Sequence, residues 1–227
     1  MLFAFVVSLL GLFFLFVNTI RFFRTQKDKG FLYKVLSVYL CFLFIEELCC
    51  NVLGFLEPGS NFFLSHYYFI LQFVILSFFY NSLFPNRFLR SIIKVALVLV
   101  LLILAVQYYQ TPEIYWRFNL LEVGLTSIPL IVYALLFLIL NFKKVKHKYF
   151  YFSNGLLLYL SCSACIFLTG NTESVFFTEP FILDFWFFNS LFYILYQFLI
   201  YKEWKFLNSE LTLEEEEELT DDVSVIE

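Results

Sequence analysis

The chain has 227 residues, 61% hydrophobic and 23% aromatic, with a mean hydropathy of +0.81. A soluble domain is nearer half apolar, so the composition excludes an ordinary soluble domain and any nucleic-acid surface, and points to an all-α polytopic membrane protein. The net charge of −4 hides an asymmetry: residues 207–227 carry nine of the 19 acids and no base, which leaves the remainder at +5 (15 bases against 10 acids).

The first apolar run, 2–20, has no preceding Lys or Arg and no small-residue cleavage site after it, so it reads as a span rather than a signal peptide. Arg21, Arg24, Lys27 and Lys29 follow it, which puts the N-terminus outside and those bases inside. Ser8, Gly11, Leu15 and Asn18 share a face, a small-and-polar seam along which membrane helices approach closely. The second span is 31–53, with Glu46, Glu47 and Asn51 in its outer third. Pro58-Gly59 marks an outer turn.

The third span, 62–83, carries His66 near its outer end and Gln72 near its middle. "PNRFLRSIIK" then reads as a basic cytoplasmic connection with Arg87, Arg90 and Lys94. The fourth span, 91–108, has no polar side chain between Val95 and Val106, so it is expected at the periphery of the bundle. Tyr108, Tyr109, Tyr115 and Trp116 fall where an interfacial aromatic belt should lie.

The fifth span, 117–140, opens with Arg117 and closes on Lys143, Lys144, Lys146 and Lys148. Asn119, Glu122, Thr126, Pro129 and Tyr133 recur at alternating steps of three and four and so share one helical face. A carboxylate within a span turns toward the bundle interior, which places this helix centrally. Arg117 and Glu122 are poorly phased to meet, so each is expected to pair across helices, Glu122 with His66 or Asn189. Pro129 removes a backbone donor and crowds the preceding turn, which suits a hinge. The sixth span is 149–169 and the seventh 183–201, with Asp184 at its outer end and Asn189, Tyr193 and Tyr196 on one face. Between them, 170–182 is the longest outer loop.

Every Lys and Arg except Arg117 lies on the cytoplasmic side of this arrangement. The expectation is one seven-helix transmembrane domain, 1–206, with the N-terminus outside and the C-terminus cytoplasmic. An acidic tail, 207–227, follows it. Like-charge blocks favour a disordered interaction tail, although Thr212 and Glu215 could cap a short helix.

The candidate chemistry gathers in the outer half: Glu46, Glu47, His66, Asn119, Glu122, Asp184 and Asn189 are at comparable depths. If the helices close into one bundle, these groups line one outward-facing pocket for a small ligand, ion or proton. The 34 Phe read as lipid-facing filler. Cys41, Cys49, Cys50, Cys162 and Cys165 all fall in hydrophobic runs without metal-ligand spacing, so neither a metal nor a cofactor is expected. Glu46-Glu47 with His66 resembles the EExxxR…H pattern of intramembrane prenyl-protein proteases. Asn51 stands where that pattern has Arg, and the other histidine is His147, among lysines. No GxSxG, HExxH, Walker A or GxGxxG pattern occurs, so no catalytic residue is expected. A transporter usually shows internal repeats and spans broken at mid-membrane. No repeat is evident here, which leaves transport, or a structural role in an envelope complex, as alternatives to a receptor.

"SHYYFILQFVILSFFYNSLF", the acid in the fifth span, "YFYFSNGLLLYLSCSACIFL" and "FWFFNSLFYILYQFLIYKEW" carry a resemblance. Together they are similar to a family of small bacterial seven-helix inner-membrane proteins often encoded beside sensor histidine kinases. The Glu-rich tail departs from that family. The resemblance implies a bacterial inner-membrane, multi-pass sensory component whose partners are the lipid bilayer and a sensor histidine kinase or another membrane protein. It carries over no functional residues.

Overall fold

The computed structural model describes residues 2–57, 61–142, 147–170 and 185–224, with side chains described for 6–57, 61–142, 147–166 and 188–209. Among the described residues the chain is all-helical: α1 (Leu2–Thr25), α2 (Phe31–Leu56), α3 (Phe62–Leu83), α4 (Arg87–Gln110), a 3-10 turn (Pro112–Trp116), α5 (Leu120–Asn141), α6 (Phe150–Gly170) and α7 (Phe185–Ser224). By length and composition, α1 to α5 are each long and apolar enough to cross a membrane, and α6 contributes a shorter apolar stretch, Phe150–Ile166.

Basic residues read from sequence as loops lie mostly inside helices. Arg21 and Arg24 belong to α1, and Arg87, Arg90 and Lys94 to α4, which Asn86 caps by accepting the Phe88 amide at 2.8 Å. Long basic side chains can reach water from a helix end while their stems stay on apolar surface, so the helices need not stop where the charges begin. Arg21 does this over aromatic rings, its guanidinium 4.5 Å from the Tyr201 ring centre and 5.4 Å from that of Trp204.

The helices close a ring. α1 packs on α2, α2 on α3, α3 on α5, α5 on α6, α6 on α7, and α7 returns to α1. α4 stands outside this ring, against α3 and α5, and buries Ile93, Val100 and Leu104. The absence of polar side chains between Val95 and Val106 fits that place. Two close approaches tighten the ring at α7. A Cβ on Gly11 would come within 2.8 Å of the Tyr193 ring, and one on Gly155 within 2.9 Å of the Tyr196 ring and 3.1 Å of Leu199 Cβ. The α1 seam read from sequence faces α7, where Asn18 donates to the Gln197 carbonyl at 2.8 Å and to its side-chain oxygen at 3.1 Å.

No helix fills the centre of the ring; aromatic side chains do. Tyr39, Tyr80, Tyr196, Phe73, Phe79, Phe137 and Phe152 are all fully buried. The Phe excess therefore divides between core and surface, against the expectation of lipid-facing filler: Phe13, Phe55 and Phe88 are exposed, whereas Phe22, Phe79 and Phe152 are sealed. A six-helix ring leaves an axis too wide for small residues, and close packing requires large ones there. Tyr159 stacks on Tyr196 with ring centres 5.4 Å apart and planes 2° from parallel.

α7 also differs from the sequence reading, because the helix continues through the acidic segment to Ser224 instead of giving way to a disordered tail. Leu and Glu are good helix formers, and a segment that prolongs an existing helix needs no new nucleus. Thr212 and Glu215 are then interior to α7 and start no helix. The Pro58-Gly59 turn, Lys143, Lys144, Lys146, residues 171–182 of the loop read as 170–182, and Asp184 lie outside the described residues.

Candidate functional site

The polar residues expected in one pocket form two sites, separated by α3. The first lies between α3, α4 and α5. Residues 117–119 are not helical, so the fifth helix begins three residues later than its apolar run suggests. Asn119 is its cap and not part of its face, and accepts the Glu122 amide at 3.3 Å. Glu122 thus sits in the first turn of α5, where exposed amides and the helix dipole favour a carboxylate. It is fully buried, and His66 from α3 is 4% exposed beside it. The His66 Nδ1 atom lies 3.1 Å from Glu122 Oε2 and 2.7 Å from the Tyr108 hydroxyl of α4. The Tyr108 hydroxyl also donates to Glu122 Oε2. Asn119 and Gln107 bond amide to amide at 3.0 and 3.3 Å, and Asn119 also donates to the Tyr108 hydroxyl at 3.4 Å.

The protonation logic of this triad follows from its partners. His66 Nε2 faces the Tyr115 carbonyl at 3.0 Å, and a carbonyl only accepts, so Nε2 carries a hydrogen. Nδ1 then either donates to Glu122 Oε2 or accepts from the Tyr108 hydroxyl. Arg117 takes no part. It is exposed after the 3-10 turn and forms no ion pair among the described residues, because it lies outside the helix it was expected to open. Pro129 stands half-buried within a continuous α5, one turn past Leu125, whose carbonyl loses its regular helical donor there.

The second site is a cavity of about 530 Å³ at the end of the bundle that holds the start of α1, the end of α2 and the start of α3 and α7. Glu46, Glu47 and Asn189 line it; His66, Asn119 and Glu122 do not. The reason is rotational. Ser65, Tyr68 and Phe69 of α3 face the cavity, while His66 points off the other side of the same helix toward α5. Hydropathy gives depth along a helix but not which of two neighbours a polar residue meets.

Cys50 donates to Glu46 Oε1 at 2.9 Å from one turn further on, and Asn61 donates to the Cys50 carbonyl at 3.4 Å across the mouth. Two polar atoms at the wall are buried and have no hydrogen-bond partner among the described residues: the Tyr193 hydroxyl and the Asn189 side-chain oxygen. Below them a column of hydroxyls and one amide runs into the ring. Tyr159 and Tyr68 meet at 3.3 Å, Gln72 donates to Tyr68 at 3.4 Å and to Tyr39 at 2.9 Å, and Tyr196 donates to Tyr39 at 3.2 Å. No group of three His, Cys, Asp or Glu side chains that could hold a metal occurs among the described residues.

No family model matches this chain. No curated protein and no solved structure matches it either. The geometry stands by itself.

Two groups escaped the sequence reading. Tyr108 was assigned to an interfacial belt, yet its hydroxyl turns inward to complete the triad. Glu203, fully buried near the far end of the ring, accepts the Tyr149 amide at 2.6 Å and the Phe152 amide at 3.1 Å. It ties α7 to the first turn of α6 and holds Tyr149 at φ 70°, a left-handed conformation uncommon for a residue with a side chain. A signal was present: one acid between Lys202 and Lys205, in a stretch otherwise aromatic.

Proposed function

We propose that this chain is a receptor-like membrane protein that crosses the bilayer seven times, with the N-terminus outside. A small ligand would be read in the cavity at the outer end of the ring. The observation that carries the reading is that cavity. It joins two carboxyl groups and two unpartnered polar atoms to a hydrogen-bonded column leading into the core. α7 supports a route for the signal, because it lines the cavity at Asn189 and Tyr193, contributes Tyr196 to the column and clasps α6 through Glu203. A ligand acts through such a route only by binding two arrangements of the ring with different affinity. The partner in this reading is a sensor histidine kinase or another membrane protein, and the bacterial inner membrane is the compartment.

Two measurements test it. Glu113→Cys should react with a membrane-impermeant maleimide from outside intact cells, and Lys148→Cys should react only after lysis. Hydrogen exchange in nanodiscs should then change over residues 195–209 when Glu46 and Glu47 are both replaced by Gln. Unchanged exchange at that distant end would remove the receptor reading. Substrate flux in proteoliposomes holding only this chain would favour transport instead.

A further inference from the structure

We propose that the ligand of the outer cavity is an organic ammonium: an amine or quaternary nitrogen on an aromatic or short alkyl body. The proposal deepens the receptor reading above and rests on it. Glu46 and Glu47 bring two carboxyl groups to one cavity, and no Lys, Arg or His stands among the described residues that line it. Two carboxylates without a counter-ion are costly in a low-dielectric surround, and a bound cation offsets that cost. An ammonium supplies up to three N–H donors. The buried oxygen of Asn189, which lacks a donor among the described residues, is a third acceptor beside the carboxylates. The Tyr193 side chain is 6% exposed, and its hydroxyl has no partner among the described residues.

Aromatic residues make up much of the remaining wall, beside Asn51, Asn61 and three serines. Tyr68, Phe69, Phe118, Tyr159 and Tyr193 present rings to the cavity, and ring faces attract organic cations. The cavity of about 530 Å³ matches the space small organic ligands occupy, whereas a hard divalent ion takes a tight shell of oxygens. An anion would meet carboxylates without a base. A neutral apolar molecule would leave both carboxyl groups unmatched.

The full chain in nanodiscs is titrated with three probes that share one phenethyl body: phenethylamine, 2-phenylethanol and 3-phenylpropionate. Occupancy is read by calorimetry and by protection of Cys50, which lines the cavity. Protection is measured as the rate of maleimide labelling in a Cys41→Ser, Cys49→Ser, Cys162→Ser, Cys165→Ser background. The amine should bind saturably, at least about tenfold tighter than the alcohol (1.4 kcal/mol), and should slow Cys50 labelling. Glu46→Gln with Glu47→Gln should weaken the amine at least about tenfold and leave the alcohol unchanged. Glu47→Asp should retain most of the binding. An unshifted thermal midpoint for the Gln variant shows that it folds. Equal binding of amine and alcohol, or amine binding that survives both Gln substitutions, overturns the ammonium assignment and leaves the pocket reading in place. If no probe of any charge binds or protects Cys50, the pocket reading falls as well.

Discussion

His66→Leu should destabilise the bundle by about 3 kcal/mol, the lower end of what removing one member of a buried ion pair costs. Three contacts disappear: Nδ1 to Glu122 at 3.1 Å, Nδ1 to the Tyr108 hydroxyl at 2.7 Å, and Nε2 to the Tyr115 carbonyl at 3.0 Å. The Tyr115 carbonyl can turn outward, so its share is about 1 kcal/mol. Most of the loss falls on Glu122. It is fully buried, its Oε1 has no partner among the described residues, and only Tyr108 remains for Oε2. Replacing Glu122 by Leu in the same chain removes the stranded group. The double variant should therefore be more stable than the sum of the single losses, with a coupling of about 2 kcal/mol. The assay is unfolding in mixed micelles at rising dodecyl sulfate fraction, followed by circular dichroism. A His66→Leu loss below about 1 kcal/mol, or additivity within about 0.5 kcal/mol, would refute the paired assignment.

Three further outcomes are expected from the same unfolding measurement. Gly155→Val should cost about 1–3 kcal/mol, because even a Cβ would meet the Tyr196 ring at 2.9 Å and Leu199 Cβ at 3.1 Å; Gly124→Ala, with nothing within 4 Å of its Cβ, is the control and should change little. Glu203→Ala should lose about 2 kcal/mol with its two amide contacts, and hydrogen exchange should speed up at the Tyr149 and Phe152 amides while α3 stays unchanged. Asn119→Ala should cost about 1 kcal/mol as a lost helix cap, and the Tyr108 hydroxyl should become easier to modify because the amide pair with Gln107 is broken.

The features that sequence conveyed well were those set by depth and by polarity along a helix. The uninterrupted apolar run of 95–106 placed α4 at the edge, and the structure puts it outside the ring. Glu122 and His66 could be matched because both lie about one turn from the same end of their helices. Rotation was harder to read. Glu46 and Glu122 lie at similar depth, but α3 stands between them and sends His66 one way and Tyr68 the other. Capping was also hidden, since Arg117 to Asn119 continue a plausible helical pattern while Asn119 uses its side chain to cap the start of α5. The aromatic interior was invisible because Phe and Tyr look alike on a hydropathy scale whether they face lipid or the axis of a ring. Only the hydroxyl positions of Tyr39, Tyr68, Tyr159 and Tyr196 distinguish the column from its surroundings.

The contact between Asn18 and Gln197 joins residues 179 positions apart. During synthesis the first helix is made with an amide whose partner does not yet exist, and it stays so until the last helix emerges. A chain stopped before Tyr193 would leave that amide without this partner and Gly11 uncovered where the Tyr193 ring lies.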